Sequence, residues 1–503
     1  MNKSAGVLLG IVVAIGAISA GGAWYTGTKL EGVLQASIAD ANKELKEALI
    51  GSDGAMTVEL VSLDRKLFSS TAHYRLKGQG AMFGEDPAGV ELLFVDRIEH
   101  GPLPLSRLTS LKLMPVMATS HYELEKTPLT EKWFALTKDA APLKGMVSIG
   151  YDRSTDGTLE LLPLELGMED TSTLKFSGLN VEISASAEAK NVKAKGYMDS
   201  LKLVANTEGQ GPSEVELNGL TLVSNMTKGA YGSYMGDNTL ELTSTRVALP
   251  EQKTLLIFKN SEIKTSSQES GTNGSGRAEY KMGEVAFNGK VIGGAQMAWS
   301  LKNLDLPATM SLVKIYQTKL QPYEKASTEA AEAGLPTPEL KLTEAEQAQV
   351  KLDLQKLLAA KPQIAMENLS FNTPNGESRA SLSVELTKPA SMELPVDQLA
   401  RQMISQLSVN LQVSKPMIID LMTLQGEMEG QADLKAVADQ ATAASEMVSS
   451  MAVGTQLAKL EGNNIVSKLH YADNKVDFNG QKMTVEEFVA FVNSKAGGAG
   501  ALQ

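Results

Sequence analysis

The strongest constraint on this chain is a period of two. From Ala55 to Leu304 apolar and polar residues alternate, in Thr57–Leu63, Lys144–Tyr151, Leu174–Ser184, Leu201–Ala205, Glu214–Val223, Asn238–Thr243, Leu255–Lys264 and parts of Arg277–Trp299. Side chains along a strand point alternately to opposite faces, so this pattern specifies half-buried strands rather than helices. Polar clusters such as Gly209–Ser213 and Ser266–Gly276 divide the runs. Many strands with polar turns between them predict an antiparallel sheet. Short helical interruptions are expected at Ser106–Met117 and Thr130–Asp139.

Within the alternation a short string recurs: LKFSGLNV at Leu174–Val181, VELNGLTL at Val215–Leu222, WSLKNLDL at Trp299–Leu306 and IAMENLSF at Ile364–Phe371. In each, the alternation changes phase by one residue at a Gly or Asn. That is the signature of a β-bulge, and these two residue types tolerate the left-handed backbone some bulges need. Repeated bulges would twist and curl the sheet.

The flanking regions have helical period. Ser4–Tyr25 holds no charged residue and follows Lys3. About 20 apolar residues suffice to span a bilayer, and Trp24 and Tyr25 stand where an interfacial aromatic pair would sit. The run is longer than a usual signal-peptide core, which favours a retained anchor over cleavage after Gly21-Gly22-Ala23. The expected topology is one span, with the N-terminus cytoplasmic and the bulk outside. Thr28–Ile50 carries apolar residues at three- and four-residue steps and reads as an amphipathic stalk packing on the domain, with a dimerising helix as the competing role. Ala308–Lys325 and Thr343–Ala360 form a helical pair, the second opened by the capping-box residues Thr343 and Glu346. Strands at Ile364–Phe371, Arg379–Leu386 and Gln406–Val413, helices at Pro416–Leu424 and Gln431–Met451, a hairpin about Asp473-Asn474 and a helix Thr484–Asn493 complete the chain.

The expected fold class is therefore α+β: an N-terminal transmembrane helix, a large curled antiparallel β-sheet with helical insertions, and a C-terminal mixed helix/strand region. The expected segments are an anchor (4–25), a stalk (26–54), a β-rich body (55–304), a helical pair (305–361), a C-terminal α+β region (362–495) and a tail (496–503).

Composition narrows the function. The net charge of −12 argues against nucleic acid and against capture by anionic headgroups. With no cysteine in 503 residues there is no disulfide framework, no thiolate chemistry and no lipoprotein attachment. Of the histidines, His73, His100, His121 and His470, no pair has metal-ligand spacing. There is no nucleophile elbow, P-loop or HExxH string. His100 beside Glu99 suggests acid–base work, but Gly101-Pro102-Leu103-Pro104-Leu105 fixes an extended turn there, and a structural role for His100 is favoured. No catalytic, cofactor-binding or metal-binding residue is assigned, and no cofactor is expected.

Three strings carry a resemblance: MNKS with GGAWYTGTKLE at the amino end, Phe68-Ser69-Ser70 followed by HGPLPLSRL, and NGQKMTVEEFV near the carboxyl end. Together they resemble the YdgA-type bacterial envelope family, a domain of unknown function. The resemblance implies a Gram-negative inner-membrane anchor left in place, a periplasmic body and self-association as a homodimer, with no catalytic residues to transfer. More distantly, the curled-sheet pattern is similar to AsmA-like proteins, associated with lipid traffic. The leading expectation is a non-enzymatic protein anchored by Ser4–Tyr25 that supports envelope maintenance, binding or conducting phospholipid or another acyl ligand in a β-sheet groove. The alternative is a dimeric interaction scaffold acting on envelope machinery or motility through Thr28–Ile50 and Gln431–Met451.

Overall fold

The computed structural model describes residues 30–49, 54–80, 83, 89–167, 172–207, 211–249, 253–431 and 433–499. It corrects the expected fold class: the chain is a large antiparallel sheet with few helices. Among the described residues no helix is long and apolar enough to cross a membrane. Ser4–Tyr25, on which the expected transmembrane helix and single-pass inner-membrane placement rest, lies outside the described residues. The single-pass placement is thus corrected as well. The first helix among the described residues, α1 (Leu30–Ala48), carries Glu, Asp and Lys on one side and buries Leu34, Ile38, Ala41 and Leu45 on the other, as a helix packed on a protein core does.

The chain divides into two compact units, Met1–Gly236 and Asp237–Gln503. The first holds α1, β1 (Ala55–Arg65), β2 (Ser69–Gln79), β3 (Val90–His100), α2 (Leu105–Thr109), β4 (Ala118–Leu124), α3 (Glu131–Leu136), β5 (Leu143–Ile149), β6 (Thr155–Leu161), β7 (Leu164–Gly167), β8 (Thr173–Phe176), β9 (Leu179–Ala185), β10 (Asn191–Thr207) and β11 (Gly211–Lys228). Strands β1 to β6 pair in chain order, β6 pairs with β9, and β9 with β10. Strand β10 is long enough to pair also with β8 and β11. The expected helix over Ser106–Met117 is only α2, because Leu111 turns left-handed (φ 56) and Pro115 follows.

The core of this unit lies between α1 and one face of β1–β6. Leu34, Ala41 and Leu45 are at most 1% exposed and pack with Val58, Ala72, Phe94, Ile98, Val147 and Leu159. Burial of an aliphatic side chain is worth about 1.5–3 kcal/mol, so this seam holds α1 to the sheet. The Asn42 side chain accepts from Val58 N (2.7 Å) and donates to Val58 O (2.9 Å). Strand β1 has a ladder partner only in β2 among the described residues, and this amide occupies part of its other edge.

The second unit begins within β12 (Tyr234–Leu249) and continues through β13 (Thr254–Ser270), β14 (Asn273–Phe287), β15 (Lys290–Asp305), α4 (Leu306–Ile315), α5 (Gln321–Glu332), α6 (Glu344–Ala359), β16 (Gln363–Asn372), β17 (Glu377–Leu386), α7 (Val396–Met403), β18 (Ile404–Ser414), α8 (Lys415–Met428), α9 (Leu434–Gly454), β19 (Lys459–Glu461), β20 (Asn464–Ala472), β21 (Lys475–Phe478), β22 (Gln481–Thr484) and α10 (Val485–Ala499). Strands β12 to β18 pair in order, then β20, then β21 and β22. The capping box at Thr343 and Glu346 forms with both reciprocal bonds, and Thr484 with Glu487 makes another.

The recurring Gly/Asn string marks backbone irregularities of two kinds. Gly178 (φ 96), Gly219 (φ 66) and Asn303 (φ 58) are left-handed. At Gly178 and Gly219 the register to β10 is unchanged across the kink, while the apolar positions step from one parity to the other. At Asn303, and at Glu367-Asn368, the register slips by one residue, so these are true bulges.

Candidate functional site

Registered cross-strand partners share a face, so the pairing of β12–β18 sorts their side chains into two surfaces. One surface runs through Leu240, Ile263, Tyr280 and Met297, then Leu369, Ala380 and Leu411. A parallel row runs through Trp299, Met366, Leu382, Val409 and Leu469. A third joins Leu301, Ile364, Val384 and Leu407. This face carries no charged group in these rows, and none of their large apolar side chains in β12–β18 is fully buried. Ile263, Tyr280, Met282, Trp299, Leu301, Ile364, Leu369 and Leu411 are 37–45% exposed. At one edge the face closes: Phe478 of β21 is buried beneath Phe488 and Phe491 of α10, with ring centroids 5.4 and 5.8 Å away.

The opposite surface is polar. Arg277 donates to Glu367 (2.8 Å) and Glu279 (2.6 Å), and the Gln296 amide donates to Glu279 (2.6 Å). Hydrogen bonds from Arg277 hold both carboxyls below the ordinary carboxylate range and raise the guanidinium pKa. The two surfaces have opposite chemistry because alternation is strict between the bulges.

The four histidines stand apart. His73 Nδ1 lies 2.6 Å from Glu125 Oε1. His100 Nε2 lies 3.0 Å from Ser70 Oγ, and burial lowers the His100 pKa against the opposing bond to the Leu67 carbonyl. Ser70 is 2% exposed, so this pair fastens the end of β2 to β3 rather than facing solvent. Among the described residues His121 Nε2 has no partner, and His470 Nδ1 meets Ser408 Oγ at 2.9 Å. Glu99 accepts from Ser106 N (3.0 Å) and Ser106 Oγ (2.5 Å), closing the turn after β3. Among the described residues no three His, Asp or Glu side chains converge as metal ligands. An open depression of about 360 Å³ beside Pro163, Phe176, Ser177 and Ser200 holds the pair Lys175–Glu165 (2.7 Å) and no nucleophile–base pair.

A buried acid in the first unit escaped the sequence reading. Asp96 is 1% exposed inside the first unit's core, where it accepts from Ser120 Oγ (2.6 Å). Burial pushes its carboxyl up to about 6, against the lowering effect of bonds from Ser120 and the His121 backbone. Tyr74 and Tyr122 beside it are both raised, first by burial and then by the Asp96 charge. The signal was present in the alternation, since Leu92, Phe94, Asp96 and Ile98 occupy one parity of β3.

With this geometry in hand, the relatives can be placed. The family described as "Bacterial protein of unknown function (DUF945)" matches residues 1–486. This chain belongs to that family. It is 28% identical to Protein YdgA of Escherichia coli K12 over 97% of this chain and 96% of that protein. It is 23% identical to the uncharacterized protein YihF of the same organism, over 96% and 97% of the two chains. An uncharacterized Haemophilus influenzae protein is 22% identical over 62% of this chain and 86% of its own length. No solved structure matches the chain. The YdgA-type resemblance read from the three strings is borne out along almost the whole chain.

Proposed function

We propose that this protein is a non-catalytic carrier whose second unit holds acyl chains, those of a phospholipid or a related amphiphile, against the apolar face of β12–β18. The observation that carries the reading is the set of eight large apolar side chains, 37–45% exposed, gathered on one face of one sheet whose other face is charged. Seven strands at about 4.8 Å spacing give that face a width of about 29 Å. One leaflet of a bilayer core is about 15 Å deep, so the face accommodates an extended acyl chain along its width. Leu, Met and Ile side chains adapt to a ligand without fixed polar geometry, and the rows contain no His, Asp, Glu or Lys. A role in maintaining the lipids of the bacterial envelope would follow from such binding.

Native mass spectrometry of the full chain, extracted in mild detergent, tests this. The expected result is a bound mass of phospholipid or fatty-acid size that is lost in Trp299→Asp/Leu369→Asp. A lipid-free protein that also fails to take up added phosphatidylglycerol would sink the reading.

A second reading has its own observation. Met447 (67% exposed), Val448 (40%) and Met451 (60%) form an uncovered stripe on α9, which would suit a homodimer contact. Light scattering that returns a monomer at all concentrations would remove it.

A further inference from the structure

A second apolar surface lies in the first unit, on the turn between β1 and β2 and on the long connection between β3 and β4. Leu67 (83% exposed), Phe68 (77%), Leu105 (70%), Leu111 (83%), Leu113 (66%) and Met114 (78%) project from these two segments. They adjoin, since His100 N donates to Phe68 O (2.9 Å) and His100 Nε2 lies 3.0 Å from Ser70 Oγ. The longer connection is a closed, internally bonded loop. Its base is tied by Gly101 N to Met117 O (2.7 Å) and Val116 N to Pro102 O (3.0 Å). Its interior is tied by Arg107, which donates to Met114 O (3.1 Å) and Ser148 Oγ (3.3 Å). The leucines are therefore presented by a built structure. At Leu111 the backbone holds a branched, solvent-facing side chain at φ 56, a conformation that costs about 1–2 kcal/mol for such a residue.

The charge around these side chains departs from that of the whole chain. Residues 101–117 carry Arg107 and Lys112 and no acid, and Arg65 and Lys66 precede Leu67 in the shorter turn. Of the flanking acids, Glu99 is occupied by Ser106, Glu31 is paired with Arg65, and Asp64 stands next to Arg65 in β1. Aliphatic side chains that protrude singly, flanked by lysine, match the boundary of an anionic bilayer, where the apolar tips enter the acyl region and the cations meet headgroups. Protein interfaces concentrate instead on Trp, Tyr and Arg anchors; residues 66–68 and 101–117 hold no Trp or Tyr, and Arg107 is spent on Met114 O and Ser148 Oγ within the fold.

We infer that the β1–β2 turn and the β3–β4 connection together form a peripheral docking surface for an anionic lipid bilayer. This inference stands apart from acyl binding by the second unit, because it concerns different residues and a lipid surface rather than an extracted lipid.

The absence of native cysteine makes the test direct. Full-length Leu111→Cys and Lys193→Cys each carry an environment-sensitive fluorophore and are mixed with vesicles of equimolar phosphatidylglycerol and phosphatidylcholine. The expected result is a blue shift at position 111 and none at position 193, which lies on β10. Silence at 111, or the same shift at both positions, would overturn the inference. Vesicle affinity, followed through a label at Leu113→Cys, should fall about tenfold or more with Leu111→Asp/Met114→Asp, and unchanged affinity would overturn it. Asp is better tolerated than Leu in the left-handed region, so fold loss is not the expected cause, and an unchanged urea midpoint checks this. Vesicles of phosphatidylcholine alone should bind more weakly, and Lys66→Gln/Lys112→Gln should abolish the difference. Equal binding by the native protein to both vesicles would refute the anionic preference. A shift at 111 that grows with protein concentration without vesicles would make a second copy the occupant and overturn the bilayer assignment.

Discussion

The apolar faces of the two units are made by the same rule and end differently. In the first unit, α1 lies on β1–β6, and the side chains beneath it are a few per cent exposed or less. In the second unit, the equivalent rows of β12–β18 remain 37–45% exposed at eight large residues, and α10 covers only the edge at Phe478. A period of two creates an apolar face in both. Whether that face becomes a core or a binding surface depends on a helix with a matching stripe being laid across it. The first unit thus commits its apolar surface to stability, and the second leaves part of it uncovered.

Damage to each face in turn should give effects of different size. Leu34→Ala, in the sealed seam, should lower stability by roughly 2–5 kcal/mol, read as a drop in the urea midpoint at constant slope. A loss below about 1 kcal/mol would mean that α1 is not held as described.

The next effect is a pH dependence confined to the sealed unit. Asp96 has a folded pKa of about 6, above its ordinary value of 3.8. The folded state therefore binds the proton more tightly, and stability is fully present below about 4 and lost as pH rises through about 6. The difference across that window is about 3 kcal/mol. Urea unfolding at the two ends of the window should show this loss, and Asp96→Asn should flatten it. A pH profile unchanged by Asp96→Asn would separate the effect from this residue.

A smaller cost belongs to the kinks. At Gly178 a Cβ would lie 2.8 Å from the Leu161 carbonyl, and φ is 96. Gly178→Val should cost roughly 1–3 kcal/mol. A neutral substitution would show that the kink is not needed.

The smallest expected change is on the half-open face. Leu369→Ala should alter stability by about 1 kcal/mol or less, since the residue is 45% exposed, yet it should reduce retention of bound acyl ligand in native mass spectra. A loss as large as that at Leu34 would mean that the face is a structural core after all.

Much of this architecture was legible beforehand. The strands, the capping boxes at Thr343 and Thr484 and the phase changes at Gly178, Gly219 and Asn303 follow from local chemistry: alternation, side-chain caps and tolerance of positive φ. The apolar rows of the candidate site were legible as residues, and their openness was not. Trp299, in a strand, reads the same whether a helix covers it or a ligand does. Arg277 and Glu279 share one parity of β14, but Glu367 comes from β16, so only the register could bring it into the cluster.

The sequence alone settled the alternating strands it named, the capping boxes at Thr343 and Thr484 and the left-handed positions at Gly178, Gly219 and Asn303, because these depend on neighbours within a few residues. Only the tertiary structure decided that α1 plugs one apolar face while β12–β18 keep theirs half open, that Asp96 lies inside a core, and that the leucines of the β3–β4 connection stand outside one. Those outcomes depend on contacts between residues tens of positions apart, and one strand's pattern is the same with either partner.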